Sequence, residues 1–165
     1  MEKIAIENVD NRRSNPYVVV PLVLLLAVLV VLRSLGTLGV TTFDSWATAT
    51  RLGLAVMFIF TSLSHFAGTR DALIQMVPDA LPTPGLLVTL TGLAEIAGAI
   101  GLLLPAFASW AGLGLAVLLV VIFPANVVAV REGIEINRKP ATPLGFRLLV
   151  QLVFIASLLW ATGWI

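Results

Sequence analysis

Five apolar runs, most of them about 20 residues long and so able to cross a hydrocarbon core of about 30 Å, constrain this chain more than any motif in it. They extend roughly from Tyr17 to Leu32, Ser45 to Phe66, Gly85 to Leu104, Phe107 to Val130 and Leu144 to Trp164. The pattern predicts an all-α transmembrane helical bundle. The first run is the shortest, and Arg12 and Arg13 ahead of a short apolar core also describe a signal peptide. A retained span is the expectation, because no small-x-small cleavage site follows Leu32 and Arg33 can snorkel to the interface. The chain then divides into an N-terminal tail at 1–16, an extra helix and the start of a loop at 17–38, and a four-helix core at 39–165.

Composition agrees with that placement. Apolar residues make up 59% of the chain and charged residues 12%, about half the soluble norm, so a water-soluble fold of 165 residues could not hide so much apolar surface. Lys and Arg are scattered between apolar runs and form no basic stripe, which argues against nucleic acid. With no Cys, the chain alone offers no disulfide exchange, thiolate zinc site or iron–sulfur ligation. One His excludes bis-histidine haem from a single chain and the paired Glu-x-x-His motifs of di-iron bundles. No metal ligand set and no intrinsic cofactor are expected, so any redox chemistry needs an organic cofactor or a partner.

Orientation follows from the short loops, since cytoplasmic loops are enriched in Lys and Arg. Five spans put Lys3, Arg12, Arg13, Arg70, Arg131, Arg138, Lys139 and Arg147 on one side and only Arg33 and Arg51 on the other. That asymmetry predicts a protein of the cytoplasmic membrane, N-terminus in and C-terminus out. Trp46, Trp110, Trp160 and Trp164 all fall at the outer helix ends, where the amphipathic indole ring is favoured. A tight turn around Leu104-Pro105-Ala106 makes the third and fourth spans antiparallel neighbours, and the Pro-rich segment from Val77 to Gly85 predicts an ordered interface loop.

Polar groups inside apolar spans are the candidate functional residues, since a charge at the bilayer centre costs about 2.5–3.5 kcal/mol on insertion scales. Glu95 lies mid-span and shares its helical face with Thr91, Gly92, Gly98, Ala99 and Leu102, so it should point into the bundle. His65, Thr61 and Ser62 on the second span, Asn126 on the fourth, and Arg147 and Gln151 on the fifth all fall toward the same end. Each also has a bland reading. Glu95 is either a structural acid, protonated or paired with a cation from another helix, or a proton-relay or ligand group; His65 is either an interface or hydrogen-bonded histidine or a proton carrier. Arg147 either snorkels to headgroups or faces inward, and Asn126 and Gln151 are either interhelical glue or ligand contacts. Pro124 frees the Val120 carbonyl from its helical partner close to Asn126.

From about Arg51 to Trp160 the chain resembles the DoxX-like family of small membrane proteins. The resemblance is carried by Ser64-His65-Phe66, Met76-Val77-Pro78 with Leu81-Pro82, the stretch from Thr91 through Glu95 to Pro105, Phe123-Pro124-Ala125-Asn126, and Arg147 with Gln151. It implies a four-helix transmembrane core to which the first span is an addition, and a loose association with quinol oxidases and redox-stress enzymes.

Two functional classes follow. In one, the chain is an accessory subunit of a quinone-linked redox system: Glu95 or His65 handles a proton, and Arg147, Asn126, Gln151, Thr61 and Ser62 contact a quinone. In the other it is a non-enzymatic assembly protein whose polar residues lock helices and whose Pro-rich loop docks a soluble redox enzyme. A small-solute transporter fits less well, for want of an inverted repeat with broken helices. The lipid bilayer is the common partner of all three, and self-association is compatible with each.

Overall fold

The computed structural model of the protein describes residues 19–136 and 138–165. The tail at 1–16, with Lys3, Arg12 and Arg13, and the expected first-span start at Tyr17 lie outside the described residues.

The described chain is an all-helical bundle. Five long helices, α1 (Val19–Thr37), α2 (Trp46–Ser62), α4 (Pro84–Leu103), α5 (Ala108–Arg131) and α6 (Leu144–Ala161), are joined by short 3₁₀ turns at Thr41–Phe43 and Leu63–His65 and by the short helix α3 (Arg70–Gln75). Among the described residues these five, with α2 prolonged through His65, are long and apolar enough to cross a membrane. Helix α2 packs against α1, α4 and α6, and α4–α5 and α5–α6 contacts complete a ring of four, with α1 laid against α2. Leu54, Phe58, Leu102, Leu115, Phe154 and Leu158 fill the centre of that ring. The outward faces are apolar too, with Val30, Leu90, Val121 and Leu149 each more than half exposed, a surface matched to hydrocarbon and not to water.

Local chemistry explains the boundaries. Ser45 caps α2 by accepting the Thr48 N–H, Pro84 opens α4 where a missing N–H costs nothing, and the chain reverses between α4 and α5 over residues 104–107. Gly98 and Gly101 let α4 and α5 approach closely: a Cβ on either would lie 2.5 Å from Leu115 or 2.7 Å from Ala111. Helix α5 continues through Pro124 to Arg131.

Two expectations need correction. The first span extends beyond Leu32 to Thr37, so Arg33 lies inside α1; its guanidinium donates to Phe43 O at 2.6 Å and sits 4.7 Å over the Trp46 ring, while its Nε is buried without a partner. The segment after His65 also holds α3, whose Ala72 and Leu73 join Met76, Ala129, Ile134 and Ile136 in a second, smaller core. That core closes one end of the bundle, called here the His65 end. Trp46, Trp110, Trp160 and Trp164 gather at the opposite end, where Trp110 and Trp164 meet edge to face at 5.8 Å and Trp164 Nε1 donates to Ser109 O.

Candidate functional site

The last turns of α2 are rich in hydroxyls that compete with the helical ladder. Thr61 Oγ1 lies 3.1 Å from Phe58 O, Ser62 Oγ donates to Ile59 O at 2.7 Å, and Ser64 Oγ donates to Thr61 O. Such back-bonding favours the tighter 3₁₀ turn that follows, Leu63–His65, and that turn delivers the His65 ring to α4. There His65 Nδ1 lies 2.8 Å from Val88 O and 3.2 Å from Thr91 Oγ1. Arg70 braces the same turn, donating to His65 O at 2.7 Å, to Gly85 O at 3.0 Å and to Thr89 Oγ1 at 3.0 Å.

Glu95 is 5% exposed, one member of a buried stripe on α4 with Val88, Gly92, Ala99 and Leu102. This is the inward placement that the small-residue face implies. Its Oε1 lies 3.6 Å from His65 Nε2, and its Oε2 accepts from Thr61 Oγ1 at 3.1 Å. The Val88 carbonyl can only accept, so Nδ1 carries a hydrogen. A neutral ring would then turn its Nε2 lone pair toward a carboxylate oxygen. At 3.6 Å the Nε2–Oε1 contact is within ion-pair reach but longer than a hydrogen bond.

Arg147 is 6% exposed and does not snorkel. Its Nε donates to Thr142 Oγ1 at 3.1 Å and to Thr142 O at 3.3 Å, and Nη1 donates to Asn126 Oδ1 at 2.7 Å. Asn126 Nδ2 in turn lies 3.5 Å from Gln151 Oε1, the outer limit of a hydrogen bond. The remaining amino group, Nη2, is buried without a partner, and no carboxylate among the described residues reaches the guanidinium.

These groups surround one cavity of about 500 Å³. Thr61, His65 and Glu95 occupy one part of its wall and Asn126, Arg147 and Gln151 another; Phe60, Leu119, Ile122, Val150 and Phe154 supply apolar lining. Leu73, Met76 and Ile136 from the second core line it at the His65 end, and Pro21 of α1 also contributes. Six of the seven sequence-level candidates therefore share one space. Ser62 does not line the cavity: one residue from Thr61 is about 100° of helical rotation, which places it 1% exposed in the packing with its hydroxyl committed to Ile59 O. Sequence reasoning gave no site role to Thr142 or Arg70. Thr142 stands five residues before Arg147 in a non-helical segment and Arg70 counted only toward charge asymmetry, so neither carried a periodic signal.

The arrangement can hold a proton near an apolar-lined space and offer a fixed cation to an oxygen acceptor. No curated protein and no solved structure matches the chain. Residues 54–162, which run from within α2 to just past the end of α6 and include every residue of the cavity wall apart from Pro21, match a family of proteins as one continuous segment. The chain thus belongs to the family described as Domain of unknown function (DUF8561).

Proposed function

We propose that this chain is a multi-pass accessory protein of the cytoplasmic membrane that holds a quinone-like ring in the cavity of its His65 end. The supporting observation is the pairing, around one apolar-lined space, of a proton-holding couple, His65 and Glu95, with a buried guanidinium that has a spare donor, Arg147. A quinone headgroup presents two carbonyl oxygens across a flat apolar ring. One oxygen would take hydrogen bonds from Arg147 or from the amides of Asn126 and Gln151, and the other would face the proton of Glu95. The chain supplies binding and a proton, and a partner enzyme supplies electrons. The resemblance to DoxX-like proteins favours the same reading. In this proposal the His65 end faces the cytoplasm, as the loop cations Arg70, Arg131, Arg138 and Lys139 suggest.

The test is gentle purification from native membranes, with an absorption spectrum and mass spectrometry of whatever is released on denaturation. A stoichiometric quinone in the wild type that is lost in Glu95→Gln supports the site. A wild type free of any such molecule, and unable to take up decylubiquinone, removes it.

A second reading has its own observation. The Glu95–Thr61 and His65–Val88 contacts tie α2 and its 3₁₀ turn to α4, while Arg147–Asn126 ties α6 to α5, so the same groups lock the bundle. As an assembly protein, the chain would present its exposed loop around Leu81 and Pro82 to a soluble redox enzyme. Glu95→Gln would then lower thermal stability with no change in any bound molecule, and a cross-link from that loop would capture the enzyme.

A further inference from the structure

The charge balance of the cavity specifies the occupant more narrowly than its shape does. Arg147 brings a full positive charge to the wall, and its three hydrogen-bond acceptors, Thr142 O, Thr142 Oγ1 and Asn126 Oδ1, are all uncharged. Glu95, the acidic group on the cavity wall, is turned to His65 and Thr61 and makes no ion pair with Arg147. With Glu95 engaged by His65 and Thr61, no ion pair holds the guanidinium, and its Nη2 is buried without a partner. The other cation nearby, Arg70, is spent on His65 O, Gly85 O and Thr89, outside the cavity lining. Among the described residues no carboxylate stands within ion-pair distance of Arg147. A buried guanidinium with a free donor in low dielectric is a strong attractor for negatively charged oxygen, and much weaker in its preference for a neutral carbonyl.

We infer that the cavity selects an anion: a ligand with one ionised oxygen, held by Arg147 and Asn126, on an apolar body that lies against Phe60, Leu119, Ile122, Val150 and Phe154. This rests on the reading of the cavity as a ligand site and sharpens it. An acidic hydroxyquinone or quinol anion fits it, and a long-chain carboxylate presents the same chemistry. The charged oxygen completes the hydrogen bonding of Arg147, and the His65–Glu95 proton lies within the same space to protonate it for release.

The test uses purified full-length protein in a neutral detergent at neutral pH and three probes. The first is 2-hydroxy-3-undecyl-1,4-naphthoquinone, which is ionised under these conditions; the second is its methyl ether, which is neutral and nearly the same shape; the third is laurate. Wild-type protein is expected to bind the ionised quinone about tenfold to a hundredfold more tightly than the ether, and Arg147→Gln to erase that preference, binding the two with equal affinity. The comparison within the wild type needs no variant to fold. Equal affinity for the two quinones would overturn the anion assignment and leave the ring site standing. Binding of neither quinone, nor of laurate, would overturn both readings. A preference that survives in Arg147→Gln would place the selecting charge elsewhere and overturn the assignment. Laurate competing as strongly as the ionised quinone would uphold the anion and assign the apolar lining to an acyl chain instead of a ring.

Discussion

Gly92 of α4 lies directly against the His65 side chain: a Cβ there would stand 2.6 Å from His65 Cβ and 2.9 Å from its Cγ. These are the atoms nearest the His65 backbone, so the ring cannot swing aside cheaply. Gly92→Ala is expected to push the 3₁₀ turn away from α4, cost about 1–3 kcal/mol of stability and separate His65 from Glu95. Thermal denaturation in detergent checks the first effect. Loss of ligand uptake at temperatures where the variant is still folded checks the second.

Thr61→Val keeps side-chain volume and removes the hydroxyl that Glu95 Oε2 accepts. With a buried carboxyl oxygen left unsatisfied, a loss of about 1–3 kcal/mol is expected. A difference infrared spectrum should show the Glu95 carboxyl band, identified by its absence in Glu95→Gln, at a changed frequency in Thr61→Val. An unmoved band would mean that the contact is not formed in solution.

The far end of the bundle gives a matched pair of glycines. Gly112 of α5 meets Thr162, whose Oγ1 would lie 2.4 Å from an added Cβ, whereas Gly114, two residues on, has nothing within 4 Å. Gly112→Ala should destabilise by about 1–3 kcal/mol through separation of α5 from the end of α6. Gly114→Ala should be neutral or gain up to about 1 kcal/mol from helix propensity. Melting both variants side by side tests the helix register.

Asn126→Asp would set a carboxylate opposite Arg147 Nη1, at a position where the two atoms now lie 2.7 Å apart. The distant 3.5 Å contact to Gln151 is lost, but the Gln151 amide can turn to donate. The empty protein should gain stability, seen as a rise in Tm of a few degrees, and affinity for an anionic ligand should fall about tenfold or more. A variant that melts lower than wild type would contradict an uncompensated Arg147.

The absence of cysteine makes orientation measurable by single introduced thiols. Thr42 and Glu132 are both exposed and lie at opposite ends of the bundle. In intact cells an impermeant maleimide should label Thr42→Cys, while Glu132→Cys reacts only after the membrane is opened. The reverse pattern would invert the proposed topology.

Much of this was legible in the residues. Run length located the five long helices, and the face that Glu95 shares with Thr91, Gly92, Gly98, Ala99 and Leu102 turned it inward; of these the structure buries Gly92, Ala99 and Leu102 with it. Arg147 was not legible in the same way. An Arg in the first turns of a span satisfies the same sequence pattern whether it reaches outward to headgroups or inward to Asn126, and the choice depends on an acceptor on another helix. Thr61 and Ser62 are neighbours in sequence, and only the register of α2 against α4 decides which hydroxyl meets Glu95. Helix α3 was hidden between Gly68 and Pro78, as six residues are too few to show a period and it is held by contacts with the end of α5 and the segment beyond it.

The contact of Arg33 with Phe43 bears on how the protein is made. Helix α1 carries a guanidinium within its own length, and the carbonyl that receives it lies 10 residues downstream, after the chain has reversed direction. A lone first helix leaving the ribosome would carry that charge bare; once Phe43 and Trp46 have emerged, the charge travels with its acceptor and its aromatic platform. Insertion of α1 and α2 together, as a helical hairpin, is the route on which Arg33 enters the bilayer boundary with its acceptor and its ring in place, and truncation after Thr37 would deprive the first helix of both.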